Sequence, residues 1–221
     1  MDGNEERISV FINSLERETD PFLQELEQQA RRDGIPVIRH EMISFLQLMV
    51  KISKPARILE VGTAVGFSAL VMARVMPDEC ILTSIEHDPD RVRAAAENIR
   101  QVPCGSRIRL MEGEAQDILP TLEGEYDLIF MDAAKGQYIH FLPHVLALLA
   151  PGGLLITDNV LRGGDILESH YALERRNRTI HKRMREYLEE LKNSPLLDTS
   201  IIPLADGVAL SRKKEGDSGI S

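Results

Sequence analysis

A doubly wound, mostly parallel seven-stranded α/β sheet with helices on both faces is the fold this sequence predicts, and three observations predict it. The apolar period changes at Arg57: before it the spacing is helical, and Arg57-Ile58-Leu59-Glu60-Val61 then reads as a short buried strand ending in glycine. Strand-like runs afterwards alternate with helix-like segments of the length that parallel crossovers require. The tail breaks that alternation with two strands around Ala205-Asp206-Gly207, an Asp-Gly hairpin signal.

The N-terminal extension carries apolar residues at Ile8, Phe11, Ile12 and Leu15 with helical spacing. Asp20-Pro21 opens a second helix, aspartate as N-cap and proline in the first turn, and residues 40–52 form a third. After the strand at 57–61, further strands are expected at 81–86, 107–111, 126–131 and 154–157. Asp88-Pro89 opens the second crossover helix, and Pro151-Gly152-Gly153 closes the fourth. A long polar helix over 171–192 precedes the closing strands at 199–203 and 208–212. One domain is expected over 1–221: helices in 1–55, the doubly wound core in 56–214 and a frayed tail at 215–221.

Apolar residues are 43% and charged residues 28% of the 221, the balance of a soluble globular chain. Apolar runs such as 145–150 are too short to cross a hydrocarbon layer of about 30 Å. The acidic start, Met1 to Glu6, lacks the basic patch and apolar run of a secretory leader, so a cytoplasmic location is expected. Cys80 and Cys104 have no metal-ligand spacing and read as free thiols. A net charge of -9 excludes a protein that coats nucleic acid over its whole surface. It leaves room for a local basic face, and Arg175, Arg176, Arg178, Lys182, Arg183 and Arg185 crowd one segment around His181.

Ligands of open parallel sheets bind beyond the carboxyl ends of the strands. Glu60-Val61-Gly62-Thr63-Ala64-Val65-Gly66-Phe67-Ser68 lies at the first such end. Gly62 and Gly66 remove side chains that would block a close approach, and Ser68 offers a hydroxyl at the helix start. Gly-x-x-x-Gly is not the Gly-x-Gly-x-x-Gly that presents amides to a dinucleotide pyrophosphate, which favours an adenosyl ligand without phosphates over a dehydrogenase cofactor. Glu86 ends the next strand, where an acid accepts both ribose hydroxyls. Each feature alone has a plainer explanation, a tight turn or a cap partner; their order along the chain favours a nucleoside site.

Asp132 ends one strand and Asp158-Asn159 the next, so neighbouring strands would bring three oxygen donors to one rim. Two carboxylates and an amide suit a hard cation such as Mg²⁺. Lys135 overhangs the same rim, and a lysine near a cation is biased toward the neutral amine that can act as general base. Loop-capping acids and a solvated surface lysine are the plainer alternatives.

These residues resemble the metal-dependent catechol and caffeoyl-CoA O-methyltransferase family of Rossmann-like class I methyltransferases. The resemblance rests on Glu60 to Ser68, Glu86, Gly113-Glu-Ala-Gln-Asp-Ile-Leu-Pro120, Asp132-Ala-Ala-Lys135, Tyr138 and Asp158-Asn159, and it spans nearly the whole chain. It implies S-adenosylmethionine contacts at Glu60, Gly62, Ser68, Glu86, Ala115, Gln116 and Asp132, with further contacts near Val37-Ile38. It also implies a metal at Asp132, Asp158 and Asn159, a base at Lys135, and a homodimer as in many relatives. No tryptophan is present, although many small-phenol members carry one after the Asp-Asn pair, where Val160-Leu161-Arg162 stands.

The tail resembles the bacterial tRNA 5-hydroxyuridine methyltransferase branch through Arg175-Arg176-Asn177-Arg178, Lys182-Arg183 and residues 199–211. That resemblance makes the wobble-position 5-hydroxyl in tRNA the favoured acceptor, with a small phenol as the alternative. Arg162, Arg175, Arg176, Arg178 and Lys182 are then the candidates for holding RNA phosphates. The competing explanation is a solvated helix whose cations pair with Glu174, Glu186, Glu189 and Glu190, and a nucleoside-binding protein without chemistry is the non-enzymatic one.

Overall fold

The computed structural model describes residues 3–15, 20–161 and 175–216. The N-terminal extension is three helices: α1 (Gly3–Ser14), α2 (Pro21–Arg32) and α3 (His40–Ser53). Asp20 caps α2 as expected, its carboxylate accepting from the amides of Phe22 and Leu23. One face of α2 is buried through Leu23, Leu26 and Ala30, whereas Ile8, Val10 and Phe11 of α1, Leu15 just after it, and Leu48 and Ile52 of α3 are exposed. Those exposed apolar side chains are the surface that the expected homodimer would concern.

The core then alternates. Its elements are β1 (Arg57–Val61), α4 (Phe67–Ala73), β2 (Ile81–Glu86), α5 (Pro89–Arg100), β3 (Ile108–Glu112), α6 (Ala115–Ile118), β4 (Tyr126–Met131), α7 (Tyr138–Leu148) and β5 (Leu149–Thr157). Helix α8 (Arg175–Asn193) leads to β6 (Leu197–Ile202) and β7 (Val208–Lys213). One sheet results, ordered β3-β2-β1-β4-β5-β7-β6. Its first five strands are parallel, and β7 and β6 close it antiparallel. Strand order reverses between β1 and β4, which marks the crevice at their carboxyl ends as the binding position.

Side-chain parity builds two cores. Ile58, Leu128, Phe130 and Ile156 face α2 to α5, while Leu59, Val61, Ile129, Met131 and Leu155 face α7 and α8. No helix among the described residues is long and apolar enough to cross a membrane.

Several boundaries differ from the sequence reading, and three of the differences have a plain physical reason. Strand β3 begins at Ile108, not Arg107, because Arg107 ends a 3-10 turn and donates to the carbonyls of Ala73 and Pro77. Strand β6 runs Leu197–Ile202 and stops before Pro203, which has no amide to give the ladder. Pro151-Gly152-Gly153 does not cap a helix: α7 ends at Leu148, and the triplet is a bulge inside β5. The pairing jumps from Tyr126 with Leu149 to Leu128 with Leu154, and Gly152 adopts φ +78 to absorb the extra residues. The expected helical start at 171–174 lies outside the described residues.

Candidate active site

The carboxyl ends of β1, β2, β4 and β5 enclose a cavity of about 590 Å³, within the range for a small-molecule site. Gly62 forms its floor at φ +102, and a Cβ there would lie 2.1 Å from the Asp132 carbonyl oxygen. Only glycine lets β1 and β4 approach this closely. Gly66, at φ +86, turns the chain into α4.

Glu86 is held as a fixed acceptor at the end of β2. Its Oε2 accepts from the Ala64 amide at 2.8 Å, and its Oε1 accepts from the amides of His87 and Asp88 at 3.0 Å each. Glu60 is wholly buried one layer beneath, its Oε1 accepting from Ser68 Oγ at 2.6 Å and its Oε2 from Ser84 Oγ. Burial pushes its carboxyl up to about 7, against the two serine hydroxyls and with the help of the nearby Asp132 and Glu86 charges.

The opposite rim carries the acids expected from sequence. Met131 pairs with Thr157, so the next residues on the two strands, Asp132 and Asp158, emerge side by side. The Asp158 amide donates to the Met131 carbonyl and the Asp132 amide to the Val61 carbonyl, which fixes both at the rim. Burial and the neighbouring Asp158 charge raise the Asp132 carboxyl to about 7, with Lys135 opposing. Asp158 is also raised, by burial and by Asp206, although hydrogen bonds from Asn159 and the Lys135 charge work the other way.

Asn159 sits at φ 61, a left-handed conformation that asparagine tolerates better than most residues. Its amide donates to Asp158 Oδ1 at 2.6 Å, and its Oδ1 accepts from Lys135 Nζ at 2.9 Å. Tyr138 braces the rim from below: its hydroxyl accepts from the Ala133 amide at 3.2 Å and donates to the Asp158 carbonyl at 3.4 Å. Burial holds that phenol well above its ordinary value, so it stays a neutral donor. Its ring packs on Tyr187 of α8, whose hydroxyl meets Thr157 Oγ1 at 2.6 Å.

Among the residues expected to meet the cofactor, Val37, Ile38, Gly62, Ser68, Glu86, Ala115 and Asp132 line the cavity. Glu60 and Gln116 do not: the first lies under Ser68, and the second is exposed on α6. Lys135, Asp158 and Asn159 line the same cavity. Arg162 lies outside the described residues, as do the side chains of Arg175 and Arg176. Lys182 is exposed and pairs with Glu186 at 3.6 Å, and Arg178 is half-buried with a partner of its own.

Sequence reasoning gave Asp206 only as part of a hairpin turn and did not name Arg39, yet the two meet at 3.0 Å across the mouth of the cavity. Lying 167 positions apart, they carry no local signal of pairing. Among the described residues no group of three or more His, Cys, Asp or Glu side chains gathers; the rim set is two carboxylates and one amide.

Comparison with known proteins finds relatives in sequence and in fold. Catechol O-methyltransferase from Niastella koreensis is 33% identical over 171 residues, 75% of this chain and 77% of its own length. Catechol O-methyltransferase from Mycobacterium tuberculosis is 29% identical over 163 residues, 72% and 74% of the two chains. The SAH-bound Podospora anserina methyltransferase PaMTH1 superposes with a TM-score of 0.86 at 27% identity over 97% of both chains. TomG, an O-methyltransferase from Streptomyces achromogenes solved with SAM, gives 0.85 at 25% identity over 97% of this chain and 100% of its own. The O-methyltransferase family model matches residues 13–214, and the chain belongs to that family.

Proposed function

We propose that the protein transfers a methyl group from S-adenosylmethionine, with the help of a hard divalent cation such as Mg²⁺, to a hydroxyl that has a second oxygen beside it. The observation that carries the reading is the meeting of Asp132, Asp158, Asn159 and Lys135 on adjacent strand ends, at the wall of the cavity that Gly62 and Glu86 also line. The rim chemistry fits the cation. Burial together with the Asp158 charge raises the proton affinity of Asp132, burial together with the Asp206 charge raises that of Asp158, and a divalent charge would oppose both. Asp132, Asp158 and the Asn159 amide oxygen are oxygen donors of the kind Mg²⁺ takes.

When bound, the cation would acidify the acceptor hydroxyl and the cofactor would supply an electrophilic methyl. The chain's own residues do the rest. Glu86, its carboxylate fixed by three backbone amides, is the ribose acceptor, and Gly62 allows the adenosyl group to lie against the backbone. Lys135, whose amine reaches Asn159, receives the proton as the oxygen–methyl bond forms and the sulfur–methyl bond breaks. Orientation of donor and acceptor is the protein's main contribution.

The favoured acceptor is the 5-hydroxyl of 5-hydroxyuridine in the tRNA wobble position, whose neighbouring 4-oxo group supplies the second oxygen. In its support, α8, the helix that carries the basic stretch, packs against the catalytic turn, with Ile180 close to Gly136 beside Lys135. An exposed pair such as Lys182–Glu186 contributes little and leaves the cation available to phosphate. A catechol-type phenol is the second reading, favoured by the catechol O-methyltransferases among the relatives.

Label transfer from methyl-labelled cofactor, offered hydroxyuridine-containing tRNA and caffeate-type phenols with and without EDTA, tests both. Label in RNA that EDTA suppresses is the expected result. Label in phenol alone would reject the tRNA acceptor, and label unaffected by EDTA would reject the cation.

A further inference from the structure

We infer that Arg183 is a positioning residue for Lys135, tethering the catalytic turn to α8 rather than serving the basic face in which the sequence places it. The inference rests on the reading of Lys135 as the base. Lys135-Gly136-Gln137 is a single 3-10 turn between the end of β4 and the start of α7. Such a turn has poorer hydrogen-bond geometry than an α-helix, and its middle residue is glycine, the residue with the most backbone freedom. Within the backbone it is closed by the Gln137 amide donating to the Ala134 carbonyl at 2.8 Å, and Ala134 offers no side-chain cap. The Ala133 amide, donating to the Tyr138 hydroxyl at 3.2 Å, brackets the turn, but neither local bond engages the Gly136 carbonyl next to Lys135.

Helix α8 supplies the constraint from a distance of 47 positions: Arg183 Nη1 donates to the Gly136 carbonyl at 3.1 Å. Its donor is an ionised guanidinium, so the bond is charge-assisted. Ile180, one turn earlier on the same face, is the other side chain close to Gly136, 3.6 Å from where a Cβ would stand. The face is fixed in turn by Met184, Tyr187 and Leu191, all buried in the core beneath. Arg183 is half-buried at the border of that stripe, whereas Lys182 and Arg185 point to solvent. The tether therefore runs from a packed helix, through one guanidinium, to the carbonyl next to Lys135. Lys135 in turn reaches Asn159 on the far strand end at 2.9 Å. Loss of the tether frees the turn, and a base displaced by about 1 Å costs on the order of a hundredfold in rate.

Two measurements test this. Amide hydrogen exchange in the free protein, without cofactor, cation or acceptor, reads the tether alone: Arg183→Ala is expected to speed exchange across 133–138 by about tenfold and leave the α7 core unchanged. Kinetics with the acceptor probe that takes label, tRNA or phenol, reads its consequence. Arg183→Ala is expected to lower kcat at saturating acceptor roughly ten- to a hundredfold, and Arg183→Lys, which keeps a donor, to lose less. In a Lys135→Ala background the Arg183→Ala change is expected to add nothing, the signature of a residue that acts through another. Unchanged exchange at 133–138, a loss confined to acceptor KM, or a full repeat of the kcat loss in the Lys135→Ala background would each overturn the inference. If Lys135→Ala keeps wild-type kcat, the base reading falls and the catalytic consequence with it, while the exchange data still score the tether by itself. Should Arg183→Ala not fold, Arg183→Lys carries the same two measurements.

Discussion

The two sides of the cavity use the same side-chain chemistry for opposite ends. At the β1–β2 side, each buried glutamate is surrounded by donors: three backbone amides on Glu86, two serine hydroxyls on Glu60. At the β4–β5 rim, Asp132 and Asp158 face each other, with Asp206 adding a third negative charge near Asp158 and Lys135 the nearby cation that opposes them. A carboxylate saturated with internal donors is a rigid acceptor for a neutral ligand such as a ribose. A pair of carboxylates short of donors is unfavourable alone and strongly favours a cation. One side is complete as built, and on the proposed reading a divalent cation completes the other.

The largest expected effect breaks the rim while sparing the other side. Asp158→Ala should lower methyl transfer roughly a thousandfold, since a catalytic cation supplies several kcal/mol and each 1.4 kcal/mol is a factor of ten. Cofactor affinity, measured by titration calorimetry, should move by less than about threefold, because the glutamates opposite keep their donors. EDTA should reproduce the loss in the natural protein, with recovery on adding Mg²⁺, and should do nothing more to the variant. A variant still strongly inhibited by EDTA would show the cation bound elsewhere.

Proton linkage separates the two sides without any acceptor. Asp132 and Glu60 are both raised to about 7, and in the unfolded chain both titrate near 4. Between those values the folded state holds protons that the unfolded state has lost, so stability falls as pH rises from about 4 to 7 and levels off above. A cation at the rim displaces the Asp132 proton and cannot reach the one on Glu60. Thermal melts from pH 5 to 8 should therefore show a decline that Mg²⁺ reduces in part. Asp132→Asn should remove the part that responds to Mg²⁺, and Glu60→Gln the part that does not. Identical profiles with and without Mg²⁺ would contradict a cation at Asp132.

The rim was readable in the sequence because its residues lie one step past strands whose ends are obvious, and consecutive strands proved adjacent. Glu60 lies off the cavity wall for a related reason. Its position at a strand end points to the cavity, but alternation sends it to the face covered by α4, under Ser68. The Pro-Gly-Gly triplet signals a chain reversal equally well as a helix stop or a bulge, and only the pairing register decides. Arg183 shows the limit of reading charge runs. Composition puts it on a basic face, while the helical period turns it toward Gly136 and leaves Lys182 outside.

The smallest expected effect lies where the two sides meet. Arg39 follows the Val37-Ile38 pair that lines the cavity, and its partner Asp206 lies close enough to Asp158 to raise it. The bridge spans the mouth at 3.0 Å with its side chains 39% and 26% exposed, so water and salt screen it. A pair this exposed is worth about 1 kcal/mol or less, which in a protein of this size shifts Tm by roughly 2–4 °C at most. Arg39→Ala should weaken cofactor binding by no more than about fivefold, the same energy expressed as an equilibrium. The difference from the natural protein should shrink at high salt. Asp206→Ala should cost the same stability or less, because it also removes a charge that opposes ionisation of Asp158, and the double variant should be no worse than Arg39→Ala. Turnover falling as far in Arg39→Ala as in Asp158→Ala would mean that the mouth and the rim act as one unit, and the contrast between the two sides would not hold.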